Sequence, residues 1–269
     1  MKMESIALLA DLTARINISI TDTQLQQFNL FGDLLIERNN NINLTAIKDE
    51  KDIILKHFID SLSIIKYIKS YVSSLPMSDP LRKPSYKYID VGAGAGFPGL
   101  PVKIIMKDEL DAVLIESISK KANFIKDVIN ALELTRVKAE NIRAEDAGRG
   151  KRYRGTADVA SARAVAALPV LLEYCTPLLK QGGVFLAMKS ANETVETEIH
   201  DSERVADILG CKIETADHFC LPDSDIKRRI IAVRKVRETP AKYPRKAGVP
   251  SKIPLREESG HNAGKFSKK

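Results

Sequence analysis

The chain has 269 residues, 44% of them hydrophobic and 29% charged, enough to bury one substantial core with a small helical annex. Its net charge is +7, its three cysteines (Cys175, Cys211, Cys220) form no C-x-x-C pair, and its four histidines show no ligand spacing. A disulfide framework and a zinc site are therefore excluded, no metal is implied, and without an apolar run long enough for a bilayer span the expectation is a cytoplasmic protein.

The N-terminus, MKMESIALLA, reads as a helix start and not as a signal peptide, since Glu4 stands beside only a short apolar stretch. Residues 1–69 read as an N-terminal helical region. Thr21 or Asp22 can cap a helix whose apolar face carries Leu25, Phe28, Leu30, Phe31, Leu34 and Leu35. A polar break at 39–43 is followed by a second helix over 49–68, striped by Ile54, Phe58, Leu62 and Ile65. On that helix His57, Asp60 and Ser61 share one face, as a surface hydrogen-bond network or as part of a site. Residues 70–87, rich in Ser and Pro, read as a linker.

From 88 to 237 short apolar runs alternate with amphipathic helices. Strands are expected over 88–91, 112–115, 137–142, 157–160 and 183–188, and helices near 98–107, 119–132, 167–180 and 192–209. That alternation predicts an α/β domain with a mostly parallel central sheet covered on both faces. Two late runs, 213–220 and 229–236, have no helix between them and predict an antiparallel hairpin at one sheet edge. Residues 238–269 hold eight basic and three acidic residues, a net +5 that leaves +2 for the body. With four prolines this stretch reads as an extended, flexible basic tail, suited to a polyanion or merely solubilising.

The sharpest signal is Tyr88-Ile-Asp90-Val-Gly92-Ala-Gly94-Ala-Gly96-Phe97-Pro98-Gly99, which closes a strand and opens a helix. Glycines there let the backbone turn and approach a ligand closely. Twenty positions after Gly96 the next strand ends in Glu116, where a carboxylate can accept both hydroxyls of a ribose. Glycine loops of this kind also serve NAD. Asp90 would repel a pyrophosphate and suits the ammonium of S-adenosylmethionine, which favours the latter. Two further loops follow strands at their carboxyl ends. Ala144 and Glu145, in Arg143-Ala-Glu-Asp146, are placed to meet an adenine, and Arg163, in Ser161-Ala-Arg-Ala164, to face the reacting methyl. Lys189 ends the fifth strand as a candidate phosphate or base contact, or as a solvated lysine.

With these residues assembled, the chain resembles the ribosomal RNA small subunit methyltransferase G family, also called glucose-inhibited division protein B. The resemblance rests on Asn43-Leu-Thr-Ala46, His57-x-x-Asp60-Ser61, Asp90 to Gly99, Glu116-Ser117-x-x-Lys120-Lys121-x-x-Phe124, Arg143-Ala-Glu145, Ser161-x-Arg163-Ala164 and Tyr243-Pro-Arg-Lys246. It implies a Rossmann-like class I methyltransferase fold and methyl transfer to N7 of one guanine in a decoding-region loop of 16S rRNA. The implied cofactor is S-adenosylmethionine, held through Gly92, Phe97, Ala144, Glu145 and Arg163 with Glu116 on the ribose, and Asp90, Gly94 and Gly96 shape the same loop. The implied partner is 16S rRNA or the small ribosomal subunit. From the residues themselves, RNA contacts are expected at Lys189 and, on the charge of the tail, at Lys242, Tyr243, Arg245 and Lys246, and a monomer is expected. Many members carry Asp where this chain has Glu116.

No single catalytic residue stands out, and Arg163, Lys189, His57 and Asp60 are the candidates. Cys175 and Cys220 lack the Pro-Cys context of cytosine C5 methylation, and Ser-Ala-Arg-Ala replaces the Asp/Asn-Pro-Pro-aromatic loop of amine methylation. Guanine N7 needs neither device, because its lone pair is free at neutral pH. Two rival readings remain open from the residues: an NAD-dependent oxidoreductase, on the glycine loop alone, and an RNA-binding protein with an inactive methyltransferase fold.

Overall fold

The computed structural model describes residues 1–74 and 85–256. Most of the expected linker and the last residues of the tail lie outside them. Helices α1 (Met3–Arg15) and α2 (Asp22–Ile42) open the chain. Thr21 and Gln24 form a reciprocal capping box at the start of α2, which satisfies two donors of its first turn. Three short pieces follow: α3 (Glu50–Ile53), a π-helical turn (Ile54–Ile59) and α4 (Asp60–Leu62), then α5 (Ile65–Ser73).

Strands β1 (Tyr86–Val91), β2 (Leu110–Ile115), β3 (Val137–Glu140), β4 (Ala157–Arg163) and β5 (Leu179–Ser190) run parallel. The expected hairpin, β6 (Cys211–Cys220) and β7 (Lys227–Lys235), adds antiparallel with β7 against β5. The order is β3-β2-β1-β4-β5-β7-β6. It reverses direction between β1 and β4, and the carboxyl ends of strands at such a switch point form a natural crevice.

Strand alternation divides the core between the two faces of the sheet. Tyr88, Leu114, Val159 and Leu186 pack on one face with α1, α2, the helices of 50–73, α6 (Gly99–Met106) and α7 (Ser119–Ala131). Ile89, Val113, Ala160 and Phe185 pack on the other with α8 (Ala144–Arg149), α9 (Leu168–Cys175) and α10 (Glu193–Ile208). The N-terminal helices thus share one core with the sheet. Among the described residues no helix is long and apolar enough to cross a membrane.

Several boundaries differ from the sequence reading. Helix α2 runs through the expected polar break, because Asn39 is buried and its Oδ1 accepts the backbone N–H of Thr45. The expected helix over 49–68 is broken by the π turn and again at Ser63 and Ile64. Strand β5 begins at Leu179, inside what reads as helix, because α9 already ends at Cys175. Helix α8 was not anticipated.

The tail is the largest correction. Up to Arg256 it is no free arm but a strap against α8 and α9, ending in α11 (Val249–Lys252). Arg154 donates to the carbonyls of Tyr243 (2.7 Å) and Thr239 (2.8 Å), and Tyr243 is buried. Arg245 closes a bidentate pair on Glu173, whose side chain is fully buried. Removing one partner of such a pair strands the other charge. Arg245→Ala should therefore destabilise the full chain by about 3 kcal/mol in urea unfolding, and an unchanged midpoint would show that the strap does not dock.

Candidate active site

The glycine loop between β1 and α6 is held from below by Asp90. Its carboxylate is fully buried, with Oδ2 accepting the N–H of Gly99 (2.9 Å) and Oδ1 the hydroxyl of Ser161 (2.7 Å). Ser161 in turn meets the Tyr88 hydroxyl at 2.6 Å. Burial pushes the Asp90 carboxyl up to about 6 against the pull of these hydrogen bonds. Asp90, expected to face a ligand ammonium, is buried here and clamps the loop to β4. Gly99 is required by this contact, since a Cβ there would lie 2.8 Å from Asp90 Oδ2.

Glu116, at the end of β2, reaches across to the same loop. Oε2 accepts the N–H of Gly94 (2.8 Å) and Oε1 that of Ile118 (2.7 Å). The carboxylate oxygens retain lone pairs for further donors.

Beyond β4 the chain turns back on itself. Ala164 takes a left-handed backbone, φ +55°, and Val165 comes to rest on Gly92. A Cβ on Gly92 would approach Val165 Cγ2 to 2.5 Å, so only glycine fits beneath this loop. Lys189 and Glu198 fix the loop's far side. Lys189 Nζ donates to the Ala166 carbonyl (3.1 Å) and pairs with Glu198 (2.7 Å), which also accepts the N–H of Leu168. Lys189 is therefore neither a solvated strand end nor, in this arrangement, a free phosphate contact.

Arg163 gathers the remaining candidates. Its guanidinium donates to Asp60 Oδ2 and to the Lys56 carbonyl, both at 3.0 Å, and stands 3.2 Å from His57 Nδ1. Asp60 takes a second cation, Arg228 of β7, at 2.9 Å. His57 Nε2 meets Thr45 Oγ1 at 2.8 Å. With Nδ1 facing an arginine, the ring fits the tautomer protonated at Nε2. Burial first, and Arg163 second, push the His57 imidazole down to about 3. The ring stacks on Phe97 at 4.5 Å and 13°, and Phe97 stacks on Phe31 at 5.2 Å. Ser61 only returns a hydrogen bond to the carbonyl of His57.

Two cavities flank the 164–167 loop, and Ala166 lines both. One, of about 490 Å³, is lined by Lys56, His57, Asp60, Arg163, Lys189 and Arg228 among others. The other, of about 200 Å³, is lined by Gly92, Arg143, Ala144, Glu145, Tyr174 and Gly248 among others. Of the sequence-selected residues, His57, Asp60, Arg163 and Lys189 line the first cavity and Gly92, Ala144 and Glu145 the second. Asp90, Gly94, Gly96, Phe97 and Glu116 line neither: Phe97 is taken up by ring stacking, Asp90 by the loop clamp, and Glu116 by the N–H groups of Gly94 and Ile118. Of the tail residues expected to touch RNA, Tyr243 and Arg245 are spent internally, while Lys242 and Lys246 are exposed. Glu145 accepts the N–H of Gly248 at 2.8 Å, which brings the tail to the smaller cavity.

Arg228, Glu198 and the tail's Gly248 were not selected from the sequence. Arg228 and Glu198 sit in ordinary amphipathic patterns, and only the strand order carries β7 beside β5 and Arg228 to Asp60.

A mostly parallel sheet of this order, a glycine loop at the switch point and an acidic end to β2 define the class I methyltransferase architecture. The family model described as rRNA small subunit methyltransferase G matches residues 24–222, and the chain belongs to that family. It is 47% identical over 248 residues to a ribosomal RNA small subunit methyltransferase G of Acetivibrio thermocellus, covering 92% of this chain and 96% of that protein. A protein of the same name from Listeria monocytogenes is 41% identical, covering 88% and 94%. Among solved structures, that of an MtNAS mutant superposes with a TM-score of 0.50 at 12% identity over 80% of this chain and 75% of that one, a likeness of fold alone. Family membership sets the NAD-dependent reading aside.

The histidine's surroundings carry a direct test. A base whose folded pKa is depressed stabilises the fold above its unfolded value near 6.5, and that contribution is lost as pH falls toward about 3. In nitrogen-detected NMR, His57 should stay neutral and Nε2-protonated from about pH 7 down to about pH 5. Titration near its ordinary pKa would contradict the buried network.

Proposed function

We propose that the chain transfers the methyl group of S-adenosylmethionine to N7 of a guanine in 16S rRNA, as a monomeric cytoplasmic enzyme acting on free rRNA or the small ribosomal subunit. The cofactor, when bound, supplies an electrophilic methyl on a sulfonium. The observation that carries the reading is the pairing of two cavities across the 164–167 loop, one beside the glycine loop and one rich in cations. Ala144 and Glu145 suit the adenine end of a nucleoside, and Glu116, beside Gly94, suits its ribose hydroxyls. Arg163 and Arg228, held by one shared carboxylate, leave the larger cavity with an excess positive charge that suits a nucleotide drawn out of its stack.

The chemistry asked of the side chains is modest. N7 offers its lone pair without losing a proton, so alignment is the main requirement, and orientation alone supplies roughly 7–11 kcal/mol of barrier reduction. This agrees with a cleft whose histidine is kept neutral between Arg163 and Thr45 and whose aspartate is saturated by two arginines. Arg163, Asp60 and His57 read as a positioning unit.

Purified protein, S-adenosylmethionine labelled in its methyl group and 16S rRNA from cells lacking this activity provide the test. Labelled 7-methylguanosine in the digested RNA is the expected product, and label in any other nucleoside would overturn the assignment. In calorimetry, Glu116→Ala should weaken S-adenosylmethionine binding by about 1–3 kcal/mol. Undiminished affinity would remove Glu116 from the ribose.

A further inference from the structure

At the opposite, amino-terminal ends of β1, β2 and β3 lies a third cavity, of about 530 Å³. It has no part in the reaction described above. Four cations line it: Lys87, Arg136, Lys138 and Arg152. Arg136 is neutralised by Asp111 in a two-pronged pair at 2.7 and 2.8 Å and also donates to Ser85, so it forms wall. The other three converge on one ring. Lys87 Nζ, Lys138 Nζ and the Arg152 guanidinium carbon stand 5.9, 5.6 and 5.1 Å from the centre of Tyr153.

Their counter-charge is incomplete. Lys138 and Arg152 share a single carboxylate, Glu140, at 3.4 and 3.0 Å. Asp158 accepts the Lys87 backbone N–H and pairs its other oxygen with Lys180. Among the described residues Lys87 has no carboxylate partner for its ammonium, which rests against the ring. Lys87 is half-buried, and its pKa is lowered by burial first and by Lys138 and Arg152 next, against a smaller opposing pull from Asp111 and Asp158, which are themselves paired with Arg136 and Lys180. Three cations against one carboxylate repel one another, and an oxyanion between them relieves that repulsion while accepting their hydrogen bonds. The ring is too buried to stack on a base, which leaves the anion as the group recognised.

We propose that this cavity binds a phosphate group through Lys87, Lys138 and Arg152, at the end of the sheet away from the glycine loop. Its source is a phosphodiester of bound RNA or a free phosphate compound. The first of these rests on the rRNA reading above.

The test uses the full chain, inorganic pyrophosphate as one probe and the 16S rRNA as the other. Lys138→Met with Arg152→Met is the variant, since both side chains are largely solvent-facing. Pyrophosphate should shift the amide signals of Lys87, Lys138 and Tyr153 in the unaltered protein, and its affinity should fall at least tenfold in the variant, on the order of one log unit. If RNA is the source, the log–log salt dependence of rRNA binding also becomes shallower by about one to two. An unchanged salt slope beside a pyrophosphate effect assigns the site to a free phosphate compound. No pyrophosphate shifts at these residues with an unchanged slope, or binding that the variant leaves intact, would overturn the proposal. Failure of the unaltered protein to methylate rRNA would sink the rRNA reading alone, since the pyrophosphate arm does not depend on it.

Discussion

The site depends on one buried cation. Arg163 ends β4 with only 13% of its side chain exposed, and a charge in that position must be compensated or the fold loses several kcal/mol. Compensation comes from outside the sheet. Asp60 and the Lys56 carbonyl belong to the N-terminal helices, so the same contacts that stabilise the arginine also fix those helices over the crevice. The π turn carries Lys56 and His57, and with Asp60 just beyond it three partners of the one guanidinium fall within five residues.

From this contact the other features follow. Asp60 serves Arg163 and Arg228 together, which ties β7 to the helices and leaves more positive than negative charge around the larger cavity. His57, pressed between the arginine and Thr45, stays neutral and lays its ring on Phe97, so the N-terminal helices meet the glycine loop through stacked rings. Below, Asp90 locks that loop to β4 through Ser161. Both cavities are therefore walled by elements that share β4, and Val165 sits between them on Gly92.

How much of this the sequence discloses differs by element. The sheet, its hairpin edge and the helices between strands other than α8 were legible, because apolar alternation and helical striping report burial directly. The glycine loop and Glu116 were legible for a different reason, since a turn of that shape tolerates few residues. What stayed hidden depends on strand order and side-chain partnership. Asp90 gave no sign of its backbone partner, the Gly99 amide 2.9 Å away, or of Ser161 on the neighbouring strand. Arg245 looked like an RNA contact because charge counting cannot see Glu173, 72 residues away and fully buried. Arg228 had no local signal at all.

The central claim is that this cleft aligns its reactants without a side chain that gives or takes a proton. The pH dependence of single-turnover methyl transfer to 16S rRNA tests it most directly. With His57 held neutral, the rate should stay flat from about pH 7 to about pH 8.5. A limb titrating within that window in the unaltered enzyme, abolished by His57→Gln, would show that the histidine acts as a base and would contradict the account.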